Sequence, residues 1–204
     1  MTKDGIPKEI LADKKLAAHI RSYGPMDMSD WKRPTNPFHS LIRSIVHQQV
    51  SGKAAQSILN KFKIIYGGRF PKPEELLKTS THKLRKAGLS GQKATYVKDL
   101  AKHFASGSIK PRNLKKLTNE EIVEHLTQVK GIGVWTAHMF LLFTLKRPDV
   151  LPTLDLAIRK GFQVVYGLKK EPSHDQMEKL AKGWRASASL VSLYLWKAAD
   201  ALKR

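Results

Sequence analysis

The stretch from residue 126 to residue 137 reads Leu126-Thr127-Gln128-Val129-Lys130-Gly131-Ile132-Gly133-Val134-Trp135-Thr136-Ala137. Two helices joined by Gly131-Ile132-Gly133 need a sharp turn that a residue with a β-carbon would obstruct. Such a turn leaves backbone N–H groups without helical partners beside the positive end of the second helix dipole. This arrangement suits a phosphate group. A plain turn between two helices, without a ligand, is the alternative explanation of the same pattern.

The charge of the chain favours nucleic acid as its partner. The 204 residues contain 37 Lys and Arg against 17 Asp and Glu, which gives a net charge of +20 and a pI near 10.2. Neutralisation of phosphates by Lys and Arg supplies most of the non-specific affinity for nucleic acids. A membrane-surface protein would instead concentrate its charge in one basic amphipathic helix or polybasic block. Here lysine occurs in nearly every segment, so DNA binding by the hairpin becomes the preferred interpretation.

Several classes of protein are excluded by composition. The chain has no cysteine, which excludes disulfides, thiolate zinc sites, cysteine nucleophiles and cysteine-ligated iron–sulfur clusters. No group of His, Asp and Glu has a convincing metal-ligand spacing, so we expect no catalytic metal. The longest nearly apolar stretch, residues 134–145, is too short for a bilayer, which takes ~20 residues. Because the N-terminus shows no apolar signal segment, we expect an intracellular protein, in the cytoplasm or nucleoid of a prokaryote or the nucleus of a eukaryote.

Helical periodicity dominates the chain, and no convincing alternating strand pattern occurs. The apolar content of 41% is sufficient to bury a core. We therefore predict an all-α protein of about ten helices, built as a single domain over residues 1–204 with two helical lobes that share a cleft. The hairpin would occupy about residues 119–145. The main predicted helices cover residues 11–22, 52–66, 92–105, 119–129, 133–145, 154–166, 174–183 and 187–203, with another opening at Pro37.

A second informative feature follows the hairpin. After the break at Lys146-Arg147-Pro148, Asp155 stands at the entrance of the helix predicted over residues 154–166. An Asp at a helix entrance is most often a cap, and that is the simplest explanation of an isolated Asp. The pairing of this Asp with the preceding hairpin favours a functional role as well.

Four stretches in this order resemble the helix–hairpin–helix DNA glycosylases, most closely the DNA-3-methyladenine glycosylase II branch that removes alkylated bases. They are Ser44-Ile45-Val46-His47-Gln48-Gln49-Val50-Ser51-Gly52-Lys53-Ala54-Ala55, Leu84-Arg85-Lys86-Ala87-Gly88-Leu89 with Lys93-Ala94, Lys130–Ala137, and Leu151–Gly161. The resemblance runs from about Leu16 to about Ala199. It implies a two-lobed fold with a DNA-facing cleft. We expect no extra N-terminal β-rich domain of the kind that larger bacterial relatives carry.

The resemblance also assigns roles to individual residues. Asp155 matches the catalytic aspartate, Trp135 the aromatic residue of the base pocket, and Trp196 a second aromatic near that pocket, to which we also assign Met139. The loop Gln48-Gln49-Val50 matches the wedge that fills the gap left by an extruded base. Gln49 is the first choice by position, and Val50 stays open as an alternative. The hairpin residues expected to bind a phosphate are Lys130, Gly131, Gly133 and Thr136. The carbonyls of Thr127, Val129 and Ile132 would hold a monovalent cation, Na⁺ or K⁺, when DNA is bound.

The function implied is hydrolytic excision of bases such as 3-methyladenine and 7-methylguanine from damaged double-stranded DNA, by a monomer that leaves an abasic site. Bifunctional relatives carry a Schiff-base lysine at the Trp135 position, and some hold a four-cysteine cluster, so this chain is expected to be monofunctional and cluster-free. The chain departs from the family pattern in two places. Leu154 stands where relatives often have an acidic residue. The family stretch Trp-x-Pro-aromatic-Arg-Ser reads Trp184-Arg185-Ala186-Ser187-Ala188-Ser189 here, so the proline, the second aromatic residue and the second-last residue, arginine, are missing. A glycosylase for hypoxanthine, ethenoadenine or a mismatched pyrimidine is one alternative, and a non-catalytic DNA-binding module is another.

Overall fold

The computed structural model describes residues 6–26 and 36–202, and this part of the chain contains twelve α-helices and no β-strand. The helices are α1 (Lys8–Leu11), α2 (Lys14–Tyr23), α3 (Pro37–His47), α4 (Gly52–Ile64), α5 (Pro73–Lys78), α6 (Thr81–Lys86), α7 (Gly91–Ala105), α8 (Asn119–Thr127), α9 (Val134–Phe140), α10 (Leu156–Tyr166), α11 (His174–Ala181) and α12 (Ala188–Ala201). A π-helical turn, Leu141–Leu145, follows α9, and a 3₁₀-helix, Lys182–Ser187, precedes α12. The predicted all-α class is confirmed. The end of the helix predicted to reach residue 203 lies outside the described residues.

The first predicted helix, residues 11–22, is wrong at its start, because Leu11 ends α1 and a separate helix begins at Lys14. Asp13 has an extended backbone, and its side chain accepts a hydrogen bond from the Leu16 N–H (3.1 Å), so it caps a new helix that begins at Lys14. The other carboxylate oxygen of Asp13 accepts a hydrogen bond from the Tyr166 hydroxyl at the end of α10 (2.6 Å). One aspartate therefore both starts α2 and ties it to α10.

The chain divides into two compact units: Met1–Arg33 together with Leu141–Arg204, here the first unit, and Pro34–Phe140, here the second unit. In the first unit, α10 packs directly against α12. A β-carbon added at Gly161 of α10 would lie 2.7 Å from the carbonyl carbon of Leu195 on α12, so the two backbones touch. Phe162 continues this core and stacks on the buried Trp184 ring, with 6.0 Å between the ring centroids.

In the second unit, α3 lies at the centre of the packing. It begins at Pro37 as predicted, after an Asn36 cap that accepts a hydrogen bond from the His39 N–H (3.1 Å). Its buried side chains recur every three to four residues, and they face α4, α7 and α9; they are Phe38, Leu41, Ile42, Ile45 and Val46. Because α3 is buried in this way, the loop that follows His47 starts from a fixed point.

We expect Gly161→Ala to destabilise the protein. The added methyl group would overlap the Leu195 backbone, which has no rotamer with which to yield, and overpacking of this kind usually costs about 1–3 kcal/mol. Urea unfolding would measure the change. The matched control is Gly52→Ala in the first turn of α4, where a β-carbon would meet no atom within 4 Å. Equal stability of Gly161→Ala and the wild type would contradict the close contact between α10 and α12.

Candidate active site and DNA-binding hairpin

The predicted hairpin is formed by α8, the turn at residues 128–133, and α9. Thr118 followed three residues later by Glu121 is a pattern that predicts a capping box at the start of α8. This prediction is confirmed, since the Thr118 hydroxyl accepts the Glu121 N–H (3.1 Å) and the Glu121 carboxylate accepts the Thr118 N–H (2.7 Å). Helix α8 ends at Thr127, two residues earlier than predicted. A turn replaces the last predicted residues of the helix, and in this turn the Ile132 N–H donates to the Val129 carbonyl three residues earlier (3.0 Å). Val129 and Ile132 are both buried and hold the turn against the unit.

The two glycines of the turn have different roles. Gly131 has a φ of +82°, in the left-handed region, and a β-carbon there would overlap the Tyr96 ring of α7. Gly133 has no positive φ, and a β-carbon there would meet nothing within 4 Å. Gly131 is therefore required by the fold, whereas Gly133 leaves an open surface just before the first N–H groups of α9. That surface is the feature a phosphate seat needs.

The other hairpin residues assigned to a phosphate contact lie at different depths. Lys130 is exposed, and its backbone N–H donates to the Asp99 carboxylate of α7 (2.9 Å). Thr136 is only 6% exposed, so it offers a phosphate far less surface than Lys130 does. The Val129 carbonyl, one of the three proposed cation ligands, accepts one hydrogen bond, which leaves the second lone pair of that oxygen.

A cavity of about 630 Å³ in the second unit brings together predicted residues from separate motifs. Trp135, which is 48% exposed, and Met139 contribute to it from α9. The remaining lining residues include Arg43, His47, Gln48, Gln49, Lys93 and Tyr96. Of these, Arg43, His47, Lys93 and Tyr96 have no role predicted from the sequence, although His47 and Lys93 stand inside two of the family motifs.

Asp155 caps α10 and also accepts a hydrogen bond from another helix. Its Oδ1 accepts the Ile158 N–H (3.0 Å), which starts the helix at Leu156. The same oxygen accepts the indole N–H of Trp196 on α12 (3.0 Å). Capping needs only the first of these bonds. The second bond joins the predicted catalytic carboxylate to Trp196, the second aromatic residue predicted near the pocket, within the first unit.

Trp196 is in turn stacked on Phe143, with 5.8 Å between ring centroids and 17° between ring planes. Phe143 lies in the π-helical turn Leu141–Leu145, where an uninterrupted α-helix over residues 133–145 was predicted. Such turns often occur at functional sites because they alter which residue faces inward. Phe143 is 45% exposed and was missed by the sequence analysis, since helical periodicity does not reveal a π-helical turn.

The predicted wedge loop lies between α3 and α4. Gln49 is exposed and has a φ of +54°, in the left-handed region, and Val50 is 37% exposed. Gln48 differs from both: it is half-buried, and its side-chain amide donates to the Gly131 carbonyl (2.7 Å). Gln49 and Val50 thus both stay candidates for the wedge.

The divergent segment Trp184–Ser189 supports the stretch that precedes Asp155. Ser189 accepts the Val150 N–H (3.0 Å) and donates to the Arg147 carbonyl (2.5 Å). The Arg185 guanidinium donates to the Asp149 carbonyl (2.8 Å). These side chains supply local hydrogen bonds in a segment where the family proline, aromatic residue and arginine are missing.

Across residues 6–26 and 36–202, no three or more His, Asp or Glu side chains are grouped as a metal site would require. Within the same ranges, none of the helices has the length and apolar character needed to cross a membrane.

Comparison with known proteins gives consistent matches over most of the chain. DNA-3-methyladenine glycosylase 1 of Schizosaccharomyces pombe is 37% identical over 186 residues, which are 90% of this chain and 80% of that protein. The crystal structure of a DNA-3-methyladenine glycosidase from Bacillus halodurans superposes with a TM-score of 0.86 at 36% identity, covering 96% of this chain and 88% of that one. The S. pombe 3-methyladenine DNA glycosylase in complex with abasic DNA gives a TM-score of 0.75 at 34% identity, covering 94% and 96%.

The family described as HhH-GPD superfamily base excision DNA repair protein matches residues 42–186, which include the predicted wedge loop, the hairpin and Asp155. With the relatives above, this match shows that the chain belongs to the HhH-GPD superfamily of base excision DNA repair proteins.

Proposed function

We propose that this protein is a monofunctional DNA-3-methyladenine glycosylase that excises alkylated bases, such as 3-methyladenine and 7-methylguanine, from double-stranded DNA. The observation that carries the proposal is the Asp155 carboxylate, which the Ile158 N–H and the Trp196 indole hold in one orientation. Relatives named for this activity match nearly the whole chain. The enzyme would act as a monomer wherever chromosomal DNA is found, in the cytoplasm or nucleoid of a prokaryote or the nucleus of a eukaryote.

The chemistry requires a fixed negative charge close to the sugar. A base alkylated at N3 or N7 already carries positive charge and leaves readily, so no general acid is needed. The sugar becomes oxocarbenium-like as the glycosidic bond breaks, and a carboxylate near C1′ stabilises that charge. The same carboxylate can orient or deprotonate the attacking water. The Ile158 N–H and the Trp196 indole both donate to Oδ1 of Asp155, and together they fix the orientation of that oxygen.

The damaged base must leave the stack before it can react, at a cost of a few kcal/mol. Gln49 or Val50 would fill the gap in the duplex and thereby offset part of that cost. Trp135 offers an exposed aromatic face, which favours a cationic base over a neutral one. Because damaged base pairs open more easily, selectivity arises without a base-specific hydrogen bond.

The DNA backbone would be held at the hairpin. The open surface at Gly133 and the exposed Lys130 would meet one phosphate, while the charge of +20 supplies non-specific affinity. The carbonyls of Thr127, Val129 and Ile132 would hold Na⁺ or K⁺ beside that phosphate. Such an ion would offset the phosphate charge, and it takes no part in bond breaking.

The product would be an intact abasic site. Strand cleavage by a bifunctional glycosylase needs a lysine that forms a Schiff base with the sugar, and Trp135 stands at the corresponding position. A module that only binds DNA has no use for the Trp196 to Asp155 hydrogen bond, which is why we prefer an enzyme.

We expect Asp155→Asn to abolish most of the activity while preserving the fold. The asparagine oxygen can still accept both N–H donors and still cap α10. Its lost negative charge should slow base release at least ~100-fold. Single-turnover release from a 7-methylguanine duplex would measure the rate, and strand nicking before and after alkali would be scored on the same samples.

The matched control is Asp175→Asn, an exposed residue in the first turn of α11 in the same unit, which should keep the wild-type rate. Wild-type activity in Asp155→Asn would refute the mechanism. Nicking that borohydride traps would refute the monofunctional assignment.

We expect Trp196→Phe to lower the rate of base release and to leave lesion binding nearly unchanged. The phenyl ring can still stack on Phe143, but it has no N–H to donate to Asp155. A hydrogen bond to a charged group is worth about 1.5–3 kcal/mol, so the rate should fall ~10- to 100-fold. Single-turnover kinetics at saturating enzyme, with binding measured on an uncleavable lesion analogue, would separate the two effects. A loss confined to binding would contradict the positioning of Asp155 by Trp196.

We expect Gly133→Val to weaken binding to damaged and undamaged duplex alike. A β-carbon at residue 133 would meet no atom within 4 Å, so we expect the protein to fold with the valine side chain on the open surface of the hairpin. Loss of one charge-assisted phosphate contact should weaken binding ~10- to 100-fold. Fluorescence anisotropy across a salt series would measure it, after a melting curve has confirmed folding. Gly131 is unsuitable for this test because Tyr96 fills its surroundings. Unchanged affinity in Gly133→Val would refute the phosphate seat.

A further inference from the structure

The C-terminal end of α3 is held by a lysine from another helix. The last carbonyl groups of a helix have no partner inside it, and α3 ends at His47. The Lys93 ammonium of α7 donates to the carbonyls of Val46 (2.8 Å) and Gln48 (2.6 Å). Lys93 is half-buried, and this burial lowers the pKa of its ammonium group from the ordinary value.

The same loop is also tied to the hairpin. The side-chain amide of Gln48 donates to the carbonyl of Gly131 (2.7 Å), the glycine whose place against the Tyr96 ring is fixed by the fold. Tyr96 belongs to α7, and its hydroxyl accepts a hydrogen bond from Gln92 one turn earlier (2.6 Å). Side-chain contacts thus join three segments that are distant in sequence: the loop after α3, the first turns of α7 and the hairpin turn.

Gln49 comes directly after Gln48, whose carbonyl is bonded to Lys93 and whose side-chain amide is bonded to Gly131. Its φ of +54° is unfavourable for a residue with a β-carbon, so the loop conformation must be imposed by its surroundings. The Lys93 bonds to residues 46 and 48 and the Gln48 bond to residue 131 are the contacts in place to do so.

We propose that Lys93 and Gln48 form a strut that fixes the Gln49–Val50 wedge loop relative to the hairpin, so that both are positioning residues for base flipping. This inference rests on the proposed function. A wedge must enter the stack while the hairpin holds a phosphate of the same duplex, so the distance between them has to be set in advance. Accordingly, Gln48 is not itself the wedge, and Lys93 does not contact a phosphate.

The test compares Lys93→Met with the wild type on two duplexes that differ only in the cost of flipping. In one, 7-methylguanine is paired with cytosine; in the other, it lies opposite an abasic analogue, where no pairing has to be broken. We expect single-turnover base release to fall at least ~10-fold on the paired lesion and less than ~3-fold on the unpaired one, since flipping costs a few kcal/mol only in the first. Duplex affinity and its salt slope should not change. Lys93→Arg, which keeps the donors, should recover part of the loss.

A second readout does not depend on catalysis. In a duplex with a tetrahydrofuran abasic analogue, 2-aminopurine beside the gap fluoresces when the stack is disturbed by an inserted side chain. Bound wild type should raise this fluorescence, and bound Lys93→Met should raise it less. The matched control is Lys98→Met on the same helix, whose ammonium group contacts the Leu77 carbonyl (3.4 Å) away from the loop. It should behave as wild type in both assays.

Gln48→Met, which removes the bond to Gly131, should reproduce the pattern and carries the test if Lys93→Met does not fold. Equal losses of base-release rate on the paired and unpaired lesions would overturn the strut. A salt slope of duplex affinity lowered by about one unit would also overturn it, because it indicates a lost phosphate contact. If the wild type releases 7-methylguanine from neither duplex, the proposed function is refuted instead. The 2-aminopurine assay alone would then test the strut.

Discussion

The backbone of α10 lies against the backbone of α12 because residue 161 has no side chain. This contact sets the geometry of the first unit around the candidate catalytic residue. Asp155 caps the N-terminal end of α10, and Trp196 follows Leu195, the residue that Gly161 touches. With the two helices held at this distance, the indole N–H reaches the carboxylate at 3.0 Å. The chemistry proposed for Asp155 thus depends on the close packing of Gly161 against the Leu195 backbone.

A second glycine acts in a similar way in the other unit. Gly131 packs against the Tyr96 ring and thereby brings the hairpin turn close to α7. From there its carbonyl accepts the Gln48 amide, while Lys93 holds the end of α3. Close packing at one position therefore organises a polar network that extends to the loop proposed to enter DNA.

The charges of the protein divide between two tasks. The excess of +20 is spread along the chain and suits the attraction of a phosphate backbone. Oδ1 of Asp155, in contrast, accepts hydrogen bonds from a backbone amide and an indole, which fix its orientation. In the proposed reaction, the many cations would attract the phosphate backbone, and the Asp155 carboxylate would stabilise the developing positive charge of the sugar.

What the sequence by itself determined is local. The capping box at Thr118, the Gly131-Ile132-Gly133 turn and the cap at Asp155 all depend on residues within a few positions of each other, so their patterns predicted the elements and placed the candidate site. The family resemblance extended this to the residues in the matching motifs. Local patterns failed where a competing cap or an unusual helix occurred, at Asp13 and at the π-helical turn that contains Phe143.

Only the tertiary structure decided which distant residues act together. Trp196 was expected near a pocket, but its hydrogen bond to Asp155 spans 41 positions. Gln48 was expected to lie in the wedge loop, yet its hydrogen-bond partner lies 83 positions away, and Lys93 is bonded across 47 positions. Each of these bonds exists because buried helices bring the two groups within about 3 Å, the distance at which a hydrogen bond forms. Packing of this kind depends on the whole core, and no pattern of neighbouring residues encodes it.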